Sequence, residues 1–250
     1  VSDEPLVYVE RGTIRRDRGD LTGAIADFSR AIDLRPENGQ AWYARGLARR
    51  QQGDLILALA DLIQAVQFLP DSLEALHDRG VVMMDLKDYD GAVADFDACL
   101  AKNPEFGAAL CNRGAVKWLR RDLKGALEDY DRGLKLLAPD ALYLKNRGTI
   151  KQELGDLNGA LADLRASLDL KAGQSDVWHR VGNILFAQKK HRDAVAAFTR
   201  GIDLGYPDRA GGFYSRALAR AELRDYRGAF EDLGVALRIR PGWGVAHHFR

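Results

Sequence analysis

The chain has little cysteine, proline or methionine, no long apolar run and almost no net charge. Two cysteines, Cys99 and Cys111, do not make a disulfide framework. Lys and Arg total 37 against 36 Asp and Glu, a formal net charge of +1, so no global field draws the molecule to nucleic acid or an anionic membrane. The apolar runs fall far short of the roughly 18 residues needed to span a bilayer, and the opening VSDEPL lacks the charged and apolar regions of a signal peptide. These absences favour a soluble, cytoplasmic setting and leave the compartment open. Because residue 1 is Val, an excised domain or a processed form is expected.

Catalytic signatures are sparse too. The five histidines are scattered, and His77, His179 and His248 recur at one repeat position too far apart to share a metal within one chain, so partner contact or exposure is expected over metal ligation. Cys99 reads as core and Cys111 as groove-facing, and no base or orienting group accompanies either thiol. Gly211-Gly212 lacks the Lys-Ser/Thr pair of a phosphate loop and reads as a turn that absorbs an inserted residue. No enzyme, cofactor or metal site is expected.

What the chain does have is a period. Gly12 recurs as Gly46, Gly80, Gly114, Gly148 and Gly182, each step 34 residues long. A fixed period of this length is the signature of stacked units that cannot bury their apolar faces alone. The copies run 5–38, 39–72, 73–106, 107–140, 141–174, 175–209 and 210–243, with residues 244–250 opening a further helix. Each copy shows two apolar-periodic segments about a turn, helix A and helix B. Position 16 is Asp in six copies (Asp20, Asp54, Asp88, Asp122, Asp156, Asp225), suited to cap helix B, and Lys190 replaces it in copy six. Prolines such as Pro36, Pro70 and Pro104 follow helix B, which cannot continue through them. A mid-helix glycine costs about 0.8 to 1 kcal/mol relative to alanine, so the six at position 8 need a packing reason. Alanine at position 20 in all seven copies, Ala24 to Ala229, supplies one by letting the two helices touch. Position 19 is glycine in five copies, without an evident reason in the sequence.

This pattern of aromatic, glycine, alanine, aromatic, alanine and proline resembles the tetratricopeptide repeat family over essentially the whole chain. The resemblance implies an all-α fold, a right-handed superhelical α-solenoid of about seven helix-turn-helix repeats. It also implies a concave face lined by helix A that binds a peptide or helix of a partner protein. The sequence departs from the family at position 7, where Arg replaces the common Leu, and at position 11, basic in five copies. Arg at 7 and Asp at 23 vanish together in copy six, as Val181 and Ala197, which predicts ion pairs within a repeat: Arg11/Asp27, Arg45/Asp61, Arg79/Asp95, Arg113/Asp129, Arg147/Asp163 and Arg216/Asp232.

The family's inward positions give the candidate site. In copies two to four they form an apolar strip of Tyr43, Leu47, His77, Val81, Met84, Cys111, Asn112, Ala115 and Trp118. Toward copies five and six they become Lys145, Asn146, Thr149, His179, Arg180, Asn183 and Phe186, suited to a polar backbone or an acidic group. Trp118 is the expected anchor. The chaperone-carboxylate clamp of some family members is matched only by Asn146 and Arg180, with Cys111, Ala115 and Asp176 at its other places, and is not expected. The leading function is therefore a non-catalytic protein–protein interaction scaffold. The alternatives are a regulatory or targeting repeat domain of a larger enzyme and, less favoured, a nucleic-acid-binding superhelix. Val245–Arg250 matches the start of another helix A, so the chain is expected to continue or to self-associate through that open end.

Overall fold

The computed structural model describes residues 4–243, and the expected helix start at 244–250 lies outside them. Among the described residues there are fourteen helices and no strand. Helices α1 (Pro5–Asp17), α3 (Gly39–Gln52), α5 (Leu73–Asp85), α7 (Gly107–Leu119), α9 (Ala141–Glu153), α11 (Ser175–Ala187) and α13 (Arg209–Glu222) are the first members of the pairs. Their partners are α2 (Leu21–Leu34), α4 (Leu55–Phe68), α6 (Tyr89–Lys102), α8 (Leu123–Leu136), α10 (Leu157–Leu170), α12 (His191–Asp203) and α14 (Tyr226–Ile239). The fold is an all-α helical-repeat solenoid. Two compact units divide it after Leu137: α1–α8 belong to the first and α9–α14 to the second.

Within each unit every helix packs on its neighbours in the chain. In the first unit α1, α3, α5 and α7 also approach one another in sequence, as α11 and α13 do in the second, and the even-numbered helices show no comparable approach. The odd-numbered helices thus line the inner side of the first unit, as α11 and α13 do in the second.

The glycine at position 8 is explained by its opposite number. A Cβ on Gly12 would lie 2.7 Å from the Phe28 ring, on Gly46 2.9 Å from Leu62, and on Gly182 2.5 Å from Phe198. The room is taken by the large side chain at position 24 rather than only by contact with the alanine at position 20. Backbone carbonyls at position 20 do come close in three copies, as with Ala126 O at 3.1 Å from a Cβ on Gly114.

The glycine at position 19 also finds its reason. Asp20, Asp88, Asp122, Asp156 and Asp225 each accept a hydrogen bond from the backbone N–H three residues on, at Gly23, Gly91, Gly125, Gly159 and Gly228. A Cβ at any of these glycines would overlap the capping carboxylate. In copy two the residue is Leu57, and Asp54 makes no capping bond. In copy six Lys190 precedes α12, again without a side-chain cap.

The expected turn at Gly211-Gly212 is a correction. Both lie in the first turn of α13, where Asp208 accepts from the Gly211 N–H. The extra residue is absorbed earlier, between α12 and α13, where Gly205 turns with φ +78. Position 15 is left-handed in every copy, as Gly19, Gly53 and Gly155 but also as Lys87, Arg121, Lys189 and Arg224, with φ from 59 to 66.

Candidate functional site

Charge is buried inside the repeats before any reaches their surface. All six expected Arg–Asp pairs form, and each guanidinium grips its carboxylate through two nitrogens, as Arg45 Nε and Nη2 do with Asp61 at 3.0 and 2.9 Å. The aspartates are buried, Asp61 to 1% exposure. The basic residue at position 11 reaches the same carboxylate: Arg15 to Asp27, Arg49 to Asp61, Lys117 to Asp129, Lys151 to Asp163 and Arg220 to Asp232, at 2.7 to 2.9 Å. The two departures from the family pattern are thus one device, a buried carboxylate between two cations. Copy three has Met83 at the second place and keeps only Arg79. Copy six has Val181, Leu185 and Ala197 and is apolar throughout. Burial raises the Asp129 carboxyl, but the hydrogen bonds from Arg113 and Lys117 outweigh it and the pKa falls below the usual carboxylate value.

On the inner side of the first unit a hydrogen-bonded chain crosses three helices. Tyr43 on α3 donates its hydroxyl to Asp78 Oδ2 at 2.6 Å, and His77 Nδ1 meets Asp78 Oδ1 at 3.1 Å on α5. His77 Nε2 faces Asn112 Nδ2 on α7 at 2.8 Å. With Asn112 donating there, the imidazole proton sits on Nδ1 and points to Asp78. His77 also packs on the rings of Phe96 and Phe106. Burial and then the bond to Asp78 push the Tyr43 phenol up. At Asp78 burial works upward, but the bonds from His77 and Tyr43 carry the net shift downward. Leu47, Met84, Ala115 and Trp118 are half-buried on the same helices.

In the second unit Lys145 reaches Asp176 at 3.4 Å, and His179 stacks on Tyr206 at 4.2 Å between centroids. Burial holds the His179 imidazole down at about 4, against an opposing pull from Asp208, so it is neutral at pH 7. Asn183 is exposed, and Asn146, Arg180 and Phe186 are half-buried. Phe186 also meets the His191 ring at 5.2 Å.

Three expected contacts are corrected. Cys111 is fully buried instead of groove-facing, because position 27 of its repeat is Gly133, and the sulfur fills the space a Cβ there would need. Thr149 is 2% exposed and donates its hydroxyl back to the Lys145 carbonyl. Val81 is 7% exposed and belongs to the core cluster with Phe96 and Val116. Sequence reasoning missed Asp78 and Tyr206. Asp78 stood at an inward position, flanked by His77, and was legible in principle. Tyr206 comes from the one lengthened connection, where the period gives no guidance. No group of residues suited to hold a metal occurs among those described.

Two family models match the chain: one described as TPR repeat over residues 12–53, the other as tetratricopeptide repeat over residues 77–141. No match to a curated protein is found by sequence. Among solved structures, YrrB, described as a TPR protein with an unusual peptide-binding site, superposes with TM-score 0.69 at 19% identity, over 75% of this chain and 96% of its own. A tetratricopeptide repeat protein from Parabacteroides merdae gives 0.67 at 18% identity, over 98% and 96%. Pseudomonas aeruginosa pilF gives 0.71 at 18%, over 86% and 97%. At these identities the likeness is one of fold.

Proposed function

Since the chain is built of tetratricopeptide repeats, generally protein–protein interaction modules, we propose that it is a non-catalytic scaffold whose inner helices bind a peptide or helical segment of a partner protein. The observation that carries this reading is the Tyr43–Asp78–His77–Asn112 chain. It ties α3, α5 and α7 together with their polar groups already oriented, which lowers the ordering cost of binding. Beside it, Leu47, Met84, Ala115 and Trp118 offer apolar contact, with Trp118 as anchor. The inner side of the second unit offers Lys145, Asn146, Arg180 and Asn183 to polar or acidic groups.

The test begins by placing a photo-crosslinking amino acid at Asn183 or Leu47 in the full chain, with a matched probe at exposed Arg192 on α12 as the control. A partner crosslinked only from the inner positions is then titrated against Trp118→Ala. Loss of an interface anchor typically costs about 2 kcal/mol, so affinity falls about thirtyfold while helicity and melting hold. Undiminished affinity in a folded Trp118→Ala variant rejects the assignment.

A further inference from the structure

A cleft of about 700 Å³ opens between α10 and α12, with Trp178, Val181 and Leu185 of α11 at its floor. It lies away from the inner-face residues discussed above. The same place in copy two shows what normally fills it. There Arg45 lies over the Trp42 ring at 4.8 Å, grips Asp61 and donates to Ser29 Oγ of the preceding repeat at 2.9 Å. Both tryptophans are fixed alike, Trp42 by the Pro36 carbonyl at 2.7 Å and Trp178 by the Ala172 carbonyl at 3.0 Å. In copy six the arginine is Val181 and its acid is Ala197, so the slot keeps its aromatic floor and loses its filling.

The wall has changed polarity as well. Where the arginine is present, the preceding repeat supplies an acceptor in three copies: Ser29 to Arg45, Asp97 to Arg113 and Thr199 to Arg216. The matching residue here is Arg165, a donor. Arg165 and Arg200 line the cleft exposed, and neither is ion-paired with an acid among the described residues. Asp193 lies in the first turn of α12 and Asp169 in the last turn of α10, with Arg165 one turn before Asp169 and Arg200 in the last turn of α12.

We propose that this slot is a second binding site, one that takes an aromatic side chain of a partner polypeptide together with an adjacent carboxylate. The ring lies against Trp178, where copy two holds its own guanidinium, and Arg165 and Arg200 donate to the carboxylate. An arginine from a partner is disfavoured because the buried acid it would need is Ala197.

The test uses 3-phenylpropionate, its amide and 3-phenylpropylamine as probes, with backbone amide shifts of the full chain as readout. Shifts are expected at Arg165, Leu168, Val181, Ala197 and Arg200 with the carboxylate. The amide should bind about tenfold more weakly, the worth of one charge-assisted contact, and the amine more weakly still. Arg165→Gln with Arg200→Gln should make carboxylate and amide equal. Val181→Arg with Ala197→Asp refills the slot and should abolish binding. Should that variant not fold, exposed Ala196→Trp blocks the cleft from outside and should do the same. Absent shifts, an amide that binds as well as the acid, or binding that survives Ala196→Trp each overturn the proposal. Concentration-dependent self-association that Ala196→Trp abolishes also overturns it, by assigning the slot to a second copy. The inner face plays no part in these readouts, so their failure leaves the scaffold reading standing.

Discussion

His179 is the side chain whose protonation the fold resists most visibly, because burial and the stacked Tyr206 leave the imidazolium poorly solvated. Its folded pKa of about 4 lies below the ordinary value of 6.5, so the unfolded chain takes up the proton first. The stability this residue contributes is full above pH 6.5 and is lost as pH falls toward 4. His179→Phe, which preserves the stack, should flatten the decline of the urea midpoint across that window; an unchanged decline would place its source elsewhere. The buried Asp129 has the same sign but a lower window: its contribution is full above the usual carboxylate value and is lost as pH falls from there through its depressed folded pKa. The pairing of Arg113 with Asp129 was legible in the sequence because copy six loses both partners at once. The burial of Cys111 was not, since the repeat pattern names its position inward and only the glycine at 133 makes room for the sulfur.

In five of the seven repeats the start of the second helix is set by two residues acting together. Among the second helices the Asp cap works where a glycine stands three places on, and α13 carries the same pair, whereas Asp140 caps α9 with Tyr143 at that place. Copy two keeps the Asp and has Leu57 instead, and its cap is absent. Asp122→Ala should therefore cost about 1 kcal/mol, the usual worth of a cap, while Asp54→Ala should cost well under half of that. Equal losses in thermal or denaturant midpoint would show that the glycine is incidental. The element boundaries were readable from the period, glycine turns and prolines. The positive φ at Lys87, Arg121, Lys189 and Arg224 was not, because local propensity disfavours it and the stacked pair imposes it at position 15 regardless of residue.

At the scale of the molecule the period set nearly everything that could be read; readings failed where the period itself fails, at Gly211-Gly212 and Tyr206, and inside it where local packing buries an inward position, at Cys111, Thr149 and Val81. The side-chain slot beside Trp178 was invisible from sequence, although the joint loss of Arg and Asp that creates it was noticed. The carboxylate clamps carry a further meaning for how such a chain gains or loses length. Because both partners of each fork lie sixteen residues apart inside one repeat, a recombination that drops one whole period rejoins an Arg to an Asp almost anywhere along the array. Copy six restricts the breakpoints. A chain lacking residues 175–209 keeps Arg216 with Asp232, whereas one lacking residues 182–216 sets Val181 opposite Asp232 and removes its fork. The two deletions are equal in length, yet the second should be less stable by about 1.5 to 3 kcal/mol, the worth of a charged hydrogen bond, since Arg220 still holds Asp232, and melt correspondingly lower. A single buried carboxylate in the neighbouring repeat thus distinguishes two deletions that the period alone would make equivalent.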